Sequence, residues 1–194
     1  MKMILSLFLF LSFSTYAKDL NEVVKYSSFD DAKNATSQLK FIVESTKAGL
    51  FASDVDGYVK EFSYTAKLDE KHMILSDMTI KIKVATMDTD NESRDTKLHN
   101  LCLSHTDYPE IIVKVPGPLF LKESRTHKYK GSVNIRGKEK PFEIELSQHL
   151  ENGKMIISGE TIWGLKTMEI PDPSILVAKL SDEIRIQIKI ERLL

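Results

Sequence analysis

The strongest pattern along the chain is an alternation of apolar and polar residues with a period of two. Met78, Ile80, Ile82 and Val84 alternate with Thr79, Lys81 and Lys83, and Ile184, Ile186, Ile188 and Ile190 alternate with Arg185, Gln187 and Lys189. Successive side chains on a strand point to opposite faces, so each run predicts a strand with one buried and one solvated face. Phe62, Tyr64, Ala66 and Leu68 repeat the pattern, as do Phe142, Ile144 and Leu146; Ile111, Val113 and Val115, with Val133 and Ile135, extend it. Asp56-Gly57, Arg136-Gly137 and Asn152-Gly153 are predicted hairpin turns, because Gly and Asn or Asp tolerate the positive φ of tight turns. Many short strands joined by short connections predict an all-β, antiparallel barrel or sandwich rather than a parallel sheet covered by helices.

Two regions depart from this pattern. Asp95 to Ser104 carries Leu98, Leu101 and Cys102 at helical spacing, with Asp95 or Thr96 as N-cap and Tyr108-Pro109 as the stop, which predicts one short helix. Asp19 to Ser37 is polar and weakly periodic, so residues 18–38 are read as a leader that forms a helix or runs along the barrel surface. The barrel domain is then expected over residues 39–194.

The first 17 residues have the character of an export signal. Lys2 is the positive start, Ile4 to Phe13 is an almost unbroken apolar run, and Thr15-Tyr16-Ala17 places small residues at −3 and −1 of a cleavage point after Ala17. The apolar run is far shorter than the roughly 20 residues that span a bilayer. Cleavage of the 194-residue chain leaves 177 residues, and the loss of Lys2 leaves 26 basic against 28 acidic. This mixture of charges predicts neither a disordered acidic tail nor a nucleic-acid binder held by phosphate contacts. A single cysteine, Cys102, makes neither an internal disulfide nor a lipid anchor beside the cleavage point, so a soluble product held by its apolar core is expected; its destination is read as the periplasm, and a secreted protein would carry the same kind of signal.

Residues able to do chemistry are scattered. Of the five histidines only His99 and His105 are near in sequence, and their spacing of six suits neither a helical nor a strand pair of metal ligands. Cys102, on the apolar face of the short helix, reads as a small core residue rather than a nucleophile. Asp88, Asp90 and Glu92 lack the glycine and distal glutamate of a calcium loop and read as a solvated acidic turn. Arg94-Asp95 could grip an anionic head group, but the expectation is structural, with Asp95 capping the helix and Arg94 pinning the loop. No metal, cofactor or catalytic residue is expected.

Three segments resemble the YceI-like polyisoprenoid-binding family. Thr89 to Ile111, TDNESRDTKLHNLCLSHTDYPEI, has an asparagine followed by Arg-Asp, a leucine three residues on, a short helix, then Tyr-Pro and a strand. Lys130 to Leu146, KGSVNIRGKEKPFEIEL, is similar to the family's strand ending in Ile-Arg-Gly with its return strand. Ile162-Trp163-Gly164-Leu165 and the start of the last strand, Leu180 to Ile184, complete the likeness. The resemblance implies an extended, eight-stranded, lipocalin-like antiparallel barrel with a small helix. It also implies a long apolar cavity for a polyisoprenoid or fatty-acyl chain and a non-catalytic role in transport, storage or sequestration. The expected ligand-binding residues are Phe41, Val43, Phe62, Tyr64, Ile80, Ile82, Val84, Ile111, Val113, Val133, Ile135, Phe142, Ile144 and Trp163, forming a continuous apolar lining. An enzyme acting on such a lipid, and a solid-core interaction protein, are the alternatives; a homodimer is left open.

Overall fold

The computed structural model describes residues 17–47, 50–174 and 178–194. The expected export signal lies outside the described residues except for Ala17. In chain order the elements are β1 (Ala17–Lys25), α1 (Phe29–Lys33), β2 (Gln38–Lys47), β3 (Phe51–Val59), β4 (Glu61–Asp69), β5 (Ile74–Lys83), β6 (Met87–Asp88), α2 (Glu92–Lys97), β7 (Glu110–Val115), β8 (Leu119–Phe120), β9 (Arg125–Ile135), β10 (Lys138–Glu151), β11 (Lys154–Gly164) and β12 (Ala178–Leu193). A 3₁₀ turn, Val84–Thr86, joins β5 to β6, and a π-type turn, Leu98–Cys102, continues α2.

These twelve strands reduce to the eight wall positions expected. The sheet is antiparallel, in the order β1-β4-β5-β7-β9-β10-β11-β12-β2-β3-β6, with β8 also on β5. Both ends of that path adjoin one stretch of chain, because only Lys60 separates β3 from β4. Tyr58 pairs with Asp88 and Phe62 with Ile82, so four steps on one strand face six on the other, and the 3₁₀ turn takes up the difference as a bulge. The path thus returns to its start and the sheet curls into a barrel. Around the wall β1 and β2 share one position, as do β3 and β4, β5 and β6, and β7 and β8.

The polar leader is more ordered than its sequence predicts. β1 pairs with β4 from Ala17↔Asp69 to Lys25↔Glu61, burying Leu20 and Val24 in the core. Between them on the same face stands Glu22, which accepts the Tyr64 hydroxyl hydrogen bond and pairs with Arg192 at 3.3 Å. Burial, reinforced by Glu22, pushes the Tyr64 phenol above its usual range, so it remains a donor. Arg192 also donates to the Asn21 carbonyl at 3.2 Å and so ties β12 to β1. A carboxylate on the inner face interrupts the apolar alternation, which is why β1 reads as part of a polar leader and not as a strand. Helix α1 follows, with a reciprocal capping box between Ser28 and Asp31.

Two of the three predicted turns are present. Arg136-Gly137 (φ 53 and 71) joins β9 to β10 and Asn152-Gly153 (φ 50 and 77) joins β10 to β11, each a two-residue loop with both residues at positive φ. Asp56-Gly57 is not a turn; it lies inside β3, where Gly57 pairs with Phe41. A Cβ at Gly57 would sit 2.0 Å from the Phe41 ring, so this glycine serves the close approach of an aromatic across the ladder.

Candidate ligand-binding site

One end of the barrel is hollow. A cavity of about 900 Å³ is bordered by the second half of β2 (Val43, Ser45), the first half of β3 (Ser53, Val55), the start of β7 (Ile111), the ends of β9 (Ile135) and β11 (Trp163), and the middle of β12 (Ile184, Ile186). Antiparallel pairing brings these alternate strand starts and ends together. Phe41, Met87, Leu98, Cys102 and Leu103 add to the apolar wall, while Leu165 and Ile170 contribute from the connection between β11 and β12. Phe142 packs edge-on to Trp163 at 5.7 Å between centroids, on the core side of the wall.

The expected lining divides in two. Phe41, Val43, Ile111, Ile135 and Trp163 border the cavity. Phe62, Tyr64, Ile80, Val84, Val133, Phe142 and Ile144 are buried in the packed core, with Ile82 and Val113 half-buried against it. That core continues through Leu68, Leu75, Leu119, Leu121, Leu146, Met155, Ile157 and Ile190, each at most 1% exposed, so the other half of the barrel is filled by side chains. Ile184 and Ile186 belonged to a clear alternation and extend the wall beyond the expected set. Leu165 and Ile170 lie outside any strand, where no periodicity marks them.

The rim is polar and carries both charge signs. Lys33 of α1, Asp54 and Asp56 of β3, and Asp90, Arg94 and Lys97 around α2 all border the cavity. Asp56 pairs with Lys40 at 2.7 Å. Beyond β2, strand β3 pairs only with β6, at Tyr58 and Val59, so residues 51–57 have one edge with no strand against it among the described residues. The four consecutive residues 53–56 all border the cavity, which a strand allows only along such an edge. The cavity therefore opens sideways along β3, facing α2.

Helix α2 departs in detail from its expected form. It begins at Glu92, and Asn91 is its N-cap, accepting from the Arg94 backbone N–H at 3.0 Å; Asp95 and Thr96 lie inside the helix. Asp95 instead accepts from the Thr89 N–H at 2.9 Å and its hydroxyl at 2.6 Å, while Arg94 donates through Nη2 to the Thr89 carbonyl at 2.7 Å. The Arg-Asp pair grips Thr89 and fixes the loop at the rim. Asn91→Ala should therefore cost about 0.5–2 kcal/mol of stability and Asn91→Asp little, because aspartate also caps well. Denaturant melts of the two variants check this, and equal losses would remove Asn91 from the cap.

The rings of His99 and His105 lie 5.9 Å apart between centroids, and Cys102 ends the π-type turn that carries His99. Burial pushes the Cys102 thiol up to about 11, so it stays protonated at neutral pH and serves as a small apolar residue of the wall. His99 contacts the Met87 carbonyl through Nε2 at 2.7 Å. Among the described residues no group of three His, Cys, Asp or Glu side chains is placed to share a metal ion.

Comparison with known proteins places this geometry in context. The model of the YceI-like domain matches residues 30–192. BcnA of Burkholderia cenocepacia superposes with a TM-score of 0.65 at 15% identity, over 85% of this chain and 99% of its own. The Campylobacter jejuni YCEI protein gives 0.63 at 20% identity, over 74% and 86%. A polyisoprenoid binding domain from Saccharophagus degradans, implicated in plant cell wall breakdown, gives 0.59 at 11% identity, over 81% and 94%. At these identities the likeness is one of fold. No curated protein matches the chain in sequence.

Proposed function

Because the chain belongs to the YceI-like domain family, we propose that it is a non-catalytic lipid-binding protein that holds the chain of a polyisoprenoid or fatty-acyl amphiphile in the hollow end of its barrel. The observation that carries this reading is the cavity itself, about 900 Å³ with an apolar wall and a polar rim. Its size lies within the roughly 300–1,000 Å³ typical of small-molecule sites. Each methylene that leaves water gains roughly 0.8 kcal/mol, so a stretch of about ten gains some 8 kcal/mol before the costs of association. Such binding needs no charged motif in the wall. The rim lets the polar end of an amphiphile remain solvated, and the polyisoprenoid named for the Saccharophagus degradans domain supports a prenyl chain as ligand. No helix among the described residues is long and apolar enough to cross a membrane.

The site of action in this reading is the periplasm, reached by means of residues 1–17, and the role is to carry, store or sequester the lipid. Native mass spectrometry of the protein purified from its own host tests the binding. One extractable long-chain lipid per chain is expected, and a bare protein that also takes up no added prenyl alcohol or fatty acid would defeat it. N-terminal sequencing of the same sample should begin at Lys18; an intact Met1 would defeat the export.

A further inference from the structure

We propose that Leu50 and Phe51, at the start of β3, dock on a lipid bilayer and bring the open edge of the cavity to the membrane. This inference rests on the lipid-binding reading and adds the surface from which the ligand is exchanged. Leu50 and Phe51 are adjacent in sequence and 80% and 70% exposed. Large apolar side chains cost free energy in water and, when clustered, mark contact surfaces. Here two of them stand at the end of the strand that borders the cavity opening.

The register connects Phe51 to the cavity. Phe51 pairs with Lys47, and two residues further on Ser53 pairs with Ser45 and Val55 with Val43, all four of which border the cavity. Residues two apart share a strand face, so Phe51, Ser53 and Val55 form one row, and Phe51 stands about 7 Å along the strand from Ser53. The inner face of β3 thus runs outward from Val55 through Ser53, polar but uncharged, to an exposed phenylalanine. Ala178 and Leu180 of the neighbouring β12 border the same opening. Leu50, Phe51, Ala52 and Ser53 are all uncharged. The anchor is therefore the apolar pair Leu50–Phe51, with Lys47 opposite Phe51 across the ladder, and a zwitterionic surface suffices.

The occupant is a bilayer because the row continues a cavity for a lipid chain. A chain leaving the membrane along Phe51 crosses one uncharged pair, Ser53 and Ser45, before it meets Val55 and Val43 of the cavity wall, which shortens the path over which its methylenes are exposed to water at roughly 0.8 kcal/mol each. The remaining exposed large apolar residues among the described residues occupy other sites: Val23 is on β1, Leu101 in the π-type turn after α2, Tyr108 ahead of β7, Phe120 on β8, Ile162 on β11 and Leu193 at the end of β12.

The test uses the mature protein with phosphatidylcholine vesicles, with and without a C20 prenyl alcohol. The double variant Leu50→Asp with Phe51→Asp removes the apolar pair at exposed positions, and Leu50→Met with Phe51→Leu preserves it. Co-sedimentation with vesicles should fall roughly tenfold or more in the Asp variant and remain near the parent's in the conservative one, with little response to added salt. The rate of uptake of the alcohol from vesicles should fall in parallel. Affinity for the alcohol delivered from cyclodextrin, read by Trp163 emission, should be unchanged. A parent protein that does not associate with vesicles, or an Asp variant that associates as well as the parent, would overturn the docking. Failure of every variant to bind cyclodextrin-delivered alcohol would instead overturn the lipid-binding reading.

Discussion

Val43→Phe combined with Ile184→Phe is expected to lower affinity for a long-chain lipid by roughly 100-fold while leaving the melting temperature unchanged or raised. The two residues are register partners on β2 and β12, both half-buried, and both border the cavity. Enlarging a residue in a packed core forces strain, but here the added rings enter open space. Three or four methylenes of ligand lose their place, at roughly 0.8 kcal/mol each, which is about 3 kcal/mol or two decades of affinity. Titration with a C20 prenyl alcohol and a thermal melt separate the two effects. Parallel loss of stability and affinity would mean that these side chains are core, and unchanged affinity would move the ligand elsewhere.

The opposite outcome is expected at Gly159, where there is no room for even one methyl group. Gly159 on β11 faces Leu146 on β10 across the ladder. A Cβ there would lie 2.3 Å from the Glu145 carbonyl oxygen and 2.5 Å from Leu146 Cδ2. The first of these atoms is backbone, so relief requires the two strands to move apart in the packed half of the barrel. Gly159→Ala should destabilise by roughly 1–3 kcal/mol, lowering the melting temperature by about 3–10 °C. Gly153→Ala is the comparison. It would meet nothing closer than Leu193 Cδ1 at 3.8 Å, though φ +77 makes it strained as well. A Gly159→Ala protein as stable as its parent would mean that β10 and β11 are not in this register.

These contrasts show what the sequence carries and what it lacks. Alternation located β4, β5, β7, β9, β10 and β12, because a strand with one solvated face writes its period directly into residue types. It missed β1, where Glu22 occupies an inner position and is satisfied by Tyr64 and Arg192, partners distant in sequence. It misread Asp56-Gly57, because glycine suits both a positive φ and a close approach, and only the Phe41 ring across the ladder tells which. The cavity was less legible than the wall. Ile135 borders open space and Val133, two residues away on the same face, is fully packed, yet both are ordinary β-branched residues. What separates them is position along the barrel and the Leu165–Ile170 connection, neither of which leaves a periodic trace. Similarly, the Arg94-Asp95 motif was visible, but its hold on Thr89 depends on loop geometry and left Asn91 as the cap.

The central claim is that a lipid chain occupies the hollow end of the barrel, and the chain's single tryptophan, Trp163, stands in that wall. The most direct measurement is quenching of Trp163 emission by a fatty acid brominated along its chain, since bromine quenches only near contact. Saturable quenching at one ligand per protein, reversed by an unbrominated prenyl alcohol and weakened by Val43→Phe with Ile184→Phe, is the predicted result. Binding at the same stoichiometry with no quenching would place the lipid outside the cavity and contradict the account.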